Sequence, residues 1–75
     1  MALTLEQLRS DIADCLGEDP ADIPFDENLV DFGLDSVRIM ALLERWRREH
    51  GVEAEFVDLA EQPAINAWAP LLRAS

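Results

Sequence analysis

Between Asp35 and Gly51 the chain sets Ile39, Leu42, Leu43 and Trp46 at helical intervals, and this stripe limits what so short a sequence can become. At about 100° per residue the four share one sector, so residues 36–50 read as an amphipathic helix resting on a core. Asp35 is suited to cap its start, with a carboxylate at the positive end of the helix dipole, and Gly51 to end it. Thr4-Leu5-Glu6-Gln7 reads as a capping box for an earlier helix, the Thr4 hydroxyl and the Gln7 side chain each satisfying an orphaned backbone donor. Behind it Leu5, Leu8, Ile12, Cys15 and Leu16 keep the same spacing until Gly17.

From Gly17 to Asp35 the period fails. Pro20 and Pro24 deny a long helix, and Ile23, Phe25, Leu29, Val30 and Phe32 are expected to hold the connection down as core contacts. Residues Glu55 to Glu61 fit a short helix carrying Phe56, Val57, Leu59 and Ala60. A last helix is expected to have Pro63 in its first turn and to bury Ile65, Trp68, Ala69 and Leu72. Proline inside a helix costs about 3 kcal/mol, so Pro70 should kink or end this helix near Ala69, with Leu71 and Leu72 still packed. The expectation is an all-α fold: a small four-helix bundle, three main helices plus one short helix, with a long structured first loop, residues 1–75 making one domain.

A chain of 75 residues buries only about 60–65% of its unfolded surface, which leaves no room for a deep substrate cleft. Its net charge is −10, with nine acids and no base from Asp11 to Asp35, and all six basic residues are arginines. A field of that sign repels phosphate backbones and excludes nucleic acid as a partner. No apolar run approaches the ~20 residues that span a bilayer, so no membrane partner is expected and cytoplasmic residence is. The lone Cys15 reads as a small buried hydrophobe.

Asp31-Phe32-Gly33-Leu34-Asp35-Ser36 delivers one serine to the start of the second helix behind a glycine turn and an acid. A nucleophilic serine needs a base at its side. The only histidine, His50, lies about 21 Å further along the same helix, there is no lysine, and the Gly-x-Ser-x-Gly elbow is missing. The chain is therefore expected to have no catalytic residue and not to be an enzyme by itself. His50 reads as a surface residue stabilised by the helix C-terminus. Asp19, Asp22 and Asp26 lack the spacing of a calcium loop, and no Cys/His set exists for zinc, so no metal site is expected. Met40 lies roughly 110° from the centre of the core sector and Val37 further round, near Ser36. They are either a docking surface or a second core contact.

A serine exposed at a helix start without its own base suits attack assisted by another enzyme, and here the chain resembles the acyl and peptidyl carrier proteins. Gly33-Leu34-Asp35-Ser36 is similar to their attachment motif, and the likeness runs over the whole chain. Residues 26–40, Arg45-Trp46-Arg47, the Phe56-Val57 segment and the Pro63-to-Trp68 segment resemble more narrowly the aryl carrier domains of siderophore synthesis, which stand alone or end an isochorismatase. The Ala69-Pro70 step and the link between Gly51 and Phe56 depart from that pattern.

The resemblance implies that Ser36 carries 4′-phosphopantetheine from coenzyme A, with Asp35 as motif residue and cap. It also implies that Met40, Phe56 and Ala60, with Val37 beside them, face partners. Those partners would be a phosphopantetheinyl transferase, an aryl-acid adenylating enzyme and a condensation domain of a nonribosomal peptide synthetase, acting on a monomeric carrier. The cargo would be 2,3-dihydroxybenzoate or salicylate held as a thioester. Two alternatives stand beside this: a carrier of fatty acyl, aminoacyl or D-alanyl groups, and a helical interaction module without cofactor.

Overall fold

The computed structural model describes residues 3–74. The first helix, α1 (Leu5–Leu16), begins as expected: Thr4 is extended, and its hydroxyl accepts from the Gln7 N–H at 3.0 Å. The reciprocal half of the capping box does not form, because the Gln7 side chain turns forward and donates to Asp11 at 2.9 Å. Gly17 ends the helix at φ 72°, a left-handed conformation that glycine adopts without the steric cost of a Cβ.

The connection from Gly17 to Asp35 is pinned down, but by local chemistry as well as by apolar residues. It contains two 3₁₀ turns, Pro20–Asp22 and Leu29–Phe32, which helical periodicity does not reveal. Each is opened by a side chain accepting from the backbone two residues on, Asp19 from Ala21 and Asn28 from Val30, both at 2.9 Å. Ile23 and Leu29 are buried, and Phe25 and Phe32 are half-buried, with the Arg9 guanidinium 4.7 Å from the Phe25 ring centroid. Two backbone hydrogen bonds tie the connection to the last helix and its approach, Leu29 N–H to the Pro63 carbonyl at 2.7 Å and Asn66 N–H to the Phe25 carbonyl at 2.9 Å. Val30 departs from the expectation. It is 53% exposed, because the 3₁₀ turn that buries Leu29 points its neighbour outward.

The second helix, α2 (Ser36–His50), has the expected bounds and buries Ile39, Leu42, Leu43 and Trp46. The short helix α3 (Phe56–Glu61) begins one residue later than the sequence suggests, with Glu55 outside it. The last helix, α4 (Ile65–Leu71), corrects two expectations. Pro63 precedes it by two residues instead of lying in its first turn, and Pro70 lies inside it. Pro70 is tolerated because it falls in the final turn of a seven-residue helix, where only the bond to the Asn66 carbonyl is forgone. Leu72 is buried as expected and still donates to the Trp68 carbonyl at 2.9 Å, but Leu71 is exposed.

The core closes around two tryptophans. Trp46 and Trp68 meet edge to face, with centroids 6.0 Å apart and planes at 73°, a geometry worth about 1 kcal/mol beyond area burial. Both indole N–H groups are satisfied, Trp68 by the Leu59 carbonyl and Trp46 by the Asp11 carboxylate, each at 2.9 Å. Cys15 is half-buried against this core. The described residues are thus all-helical, with a long structured first connection, and measure 26 × 22 × 19 Å. No helix among them is long and apolar enough to cross a membrane.

Candidate functional site

The start of α2 is shaped by four consecutive residues. Gly33 turns the chain at φ 101°, a conformation that disfavours any side chain, and its N–H donates to the Val30 carbonyl at 3.1 Å. Leu34 is only 2% exposed and anchors the approach to the core, its N–H donating to the Leu29 carbonyl at 3.2 Å. Asp35 is extended (φ −130°, ψ 179°), and its carboxylate accepts from the Arg38 N–H at 2.9 Å. That carboxylate is committed to capping. Ser36 follows as the first helical residue; it is exposed, and its hydroxyl makes no hydrogen bond among the described residues.

No histidine or lysine stands near it among the described residues. His50 closes the same helix, about 21 Å away at 1.5 Å rise per residue. The oxygen is accessible, and among the described residues no side chain is hydrogen-bonded to it to take its proton.

Beside Ser36 the surface is apolar. Val37 is 77% exposed and Met40 42% exposed, and the helical register puts both on the sector of α2 turned away from the buried stripe. Helix α3 packs against α2 and carries the other two residues singled out from the sequence. Ala60 is exposed, whereas Phe56 is half-buried against the core. Two further apolar residues are exposed nearby in sequence, Val30 ahead of Ser36 and Val57 in α3. Sequence reading assigned them to the core or passed over them, since an apolar residue in a short irregular segment has no period to show which way it faces.

Sequence reading also missed Asp11, which is 3% exposed and accepts from Trp46 and Gln7 at 2.9 Å, with the Arg45 guanidinium at 3.3 Å. It joins α1 to the second half of α2, about 15 Å along that helix from Ser36. The available signal was an acid on the apolar face of α1 and a tryptophan whose N–H needed an acceptor. A groove of about 480 Å³ lies at the other end of α2, lined by His50, Val52, Asp58 and Leu72 among others, and Ser36 takes no part in it.

Comparison with known proteins matches residues 6–72 to the family described as the phosphopantetheine attachment site. The chain is 56% identical over 69 residues to the isochorismatase of Bacillus subtilis, which covers 92% of this chain and 22% of that protein. It is 58% identical over 55 residues to enterobactin synthase component B of Escherichia coli, covering 72% of this chain and 19% of that protein. Against the acyl carrier protein ScoB of Streptomyces coeruleorubidus it is 43% identical over 72 residues, 96% of this chain and 84% of that one. The chain therefore spans about a fifth of the first two relatives and most of the third.

Proposed function

This chain belongs to the phosphopantetheine attachment site family, a carrier-protein family whose members bear 4′-phosphopantetheine covalently, and from that membership we propose that it is an aryl carrier unit modified at Ser36. The observation that supports this most is the Ser36 hydroxyl, exposed at the first position of a capped helix and free of hydrogen bonds among the described residues. A phosphate ester there suits the site: its negative charge would meet the positive end of the α2 dipole, and no side chain has to be displaced. When attached, the prosthetic group supplies a flexible arm ending in a thiol that can hold a carboxylic acid as a thioester.

The residues of this chain position and present; they do not catalyse. Gly33 and Leu34 fix where the helix begins and Asp35 stiffens its first turn. The Ser36 oxygen bonds to the phosphorus that bears the pantetheine arm, its proton leaves to a base of the transferase, and the pyrophosphate bond of coenzyme A breaks with adenosine 3′,5′-bisphosphate as the leaving group. Residues 1–75 act as one carrier unit, served by a phosphopantetheinyl transferase, an aryl-acid adenylating enzyme and a condensation domain. Tethering replaces free diffusion of the acid by a high effective concentration at each of them. The aryl cargo, 2,3-dihydroxybenzoate or salicylate, rests on the resemblance of residues 26–40 to aryl carrier domains. The relatives named isochorismatase and enterobactin synthase component B point the same way.

Incubation with coenzyme A and a phosphopantetheinyl transferase should add one phosphopantetheine by mass spectrometry, and Ser36→Ala should abolish the gain. The same gain in Ser36→Ala would overturn the assignment. A second reading keeps the attachment and changes the cargo to an acyl or aminoacyl group, favoured by the extensive match to an acyl carrier protein. Loading of the modified protein by adenylating enzymes separates the two: aryl acids accepted and amino acids refused supports the first, the reverse the second.

A further inference from the structure

The chain has three sulfur-bearing side chains, Met1, Cys15 and Met40, and the last two lie among the described residues. Cys15 is half-buried against the core, and the Arg38 guanidinium reaches across to its carbonyl at 3.2 Å. Met40 is 42% exposed, the more open of the two. Its place follows from the register of α2. Four positions separate it from Ser36, so it lies one turn on along the same face, about 6 Å along the axis and about 40° round. Ile39, Leu42, Leu43 and Trp46 face the core from a sector centred about 110° away, and Val37, Ala41 and Glu44 on the open side are all exposed. Met40 stands outside the core that holds the bundle together.

Exposure decides what can happen at such a sulfur. A thioether has no proton to lose, so its reaction with an oxidant is governed by access and not by titration. With hydrogen peroxide the sulfur lone pair takes one oxygen as the O–O bond breaks. Sulfur is oxidised by two electrons, the peroxide is reduced, and its second oxygen leaves as water with both hydrogens. The product is a sulfoxide, in which a flexible apolar tip has become a polar one with a strong acceptor oxygen. Inside a core that change disrupts packing. On this face of α2 it leaves the buried stripe intact and alters only what a partner meets beside the attachment serine.

Resting on the carrier reading above, we infer that Met40 is a redox-modification site, oxidised to the sulfoxide by hydrogen peroxide and returned by methionine sulfoxide reductases. The sulfoxide slows the enzymes that work at Ser36 while the carrier stays folded. Methionine suits an apolar contact because its unbranched chain adapts to differently shaped surfaces, and the same sulfur makes that contact sensitive to oxidant. A sulfoxide oxygen pressed against an apolar partner surface loses its water and finds no donor in return, which weakens the complex. Val37, more exposed than Met40, has no such chemistry, so the response of this face to peroxide rests on one side chain.

The test oxidises the full chain before the pantetheine arm is attached, because the thiol of the arm would react too. Hydrogen peroxide is added and then removed with catalase, and dithiothreitol reverses any sulfenic acid or disulfide at Cys15 while leaving a sulfoxide in place. Peptide mass spectrometry should find one added oxygen at Met40. With coenzyme A and a phosphopantetheinyl transferase, and then with an aryl-acid adenylating enzyme, kcat/KM for the oxidised chain should fall about fivefold or more in at least one of the two reactions. Its Tm should stay within about 5 °C of that of the untreated chain. Methionine sulfoxide reductases of both epimer specificities should together restore the rate. Met40→Leu, compared with its own untreated form, should lose nothing after the same treatment, although Met1 is still present. An unoxidised Met40, unchanged rates in both reactions, an equal loss in Met40→Leu or a larger fall in Tm would each overturn the inference. Failure of the untreated chain to accept the arm would instead remove the carrier reading, and this inference with it.

Discussion

Replacing Asp11 by alanine removes an acceptor that one buried donor cannot replace. Trp46 is fully buried and its indole nitrogen donates to Asp11 at 2.9 Å, so in Asp11→Ala that N–H faces neither water nor protein. An orphaned buried donor costs about 1–3 kcal/mol. The other two contacts lose less. Gln7 is exposed and turns to water, and the Arg45 side chain is 37% exposed and keeps Glu49 at 3.4 Å, so its pairing adds about 0–1 kcal/mol. The expected loss is about 2–3 kcal/mol, or a fall in Tm of about 10–20 °C for a domain of this size.

Asp11→Asn keeps an oxygen for Trp46 and should cost only about 1 kcal/mol. Thermal melts followed by circular dichroism give both numbers, and a cycle with Trp46→Phe isolates the pair. A coupling below about 0.5 kcal/mol would refute the reasoning, as would equal losses for the alanine and asparagine variants, which would assign the stability to charge.

Asp35→Ala removes the cap on Arg38 N–H and should cost about 1 kcal/mol by denaturant unfolding, with slower modification of Ser36 because the first turn of α2 frays. Gly33→Ala should lose about 1–2 kcal/mol from its φ of 101° alone, since the added Cβ would sit 4.0 Å from Leu16 Cδ2, an ordinary contact. A larger loss in the same unfolding experiment would mean that the approach to Ser36 is packed more tightly than the structure indicates.

Where every determinant is local, sequence and structure agree. The bounds of α2 are the clearest case, because the Asp35 cap, the apolar stripe and the Gly51 stop all act within a turn of the residues they affect. Ser36 at its start follows from the same short-range rules. The short helix, by contrast, has no capping hydrogen bond from its Glu55 side chain, and its start was misplaced by one residue. Pro63 and Pro70 were misjudged because a proline's cost depends on how near it lies to a helix end, and tertiary contacts set that end. The Pro63 carbonyl is held by Leu29, more than thirty positions earlier in the chain.

Composition and spacing by themselves determined a small, acidic, all-helical chain with one serine presented at a capped helix start, since these depend on periodicity and on hydrogen bonds between near neighbours. Only the assembled fold decided which charged and apolar residues are hidden and which are shown. Asp11 is buried because Trp46, thirty-five positions away, needs an acceptor in the core. Val37 and Met40 stand open because their side of α2 faces away from the stripe of Ile39, Leu42, Leu43 and Trp46 that the other segments cover. Burial depends on what other segments bring to a residue, and that information is not carried by its own stretch of chain.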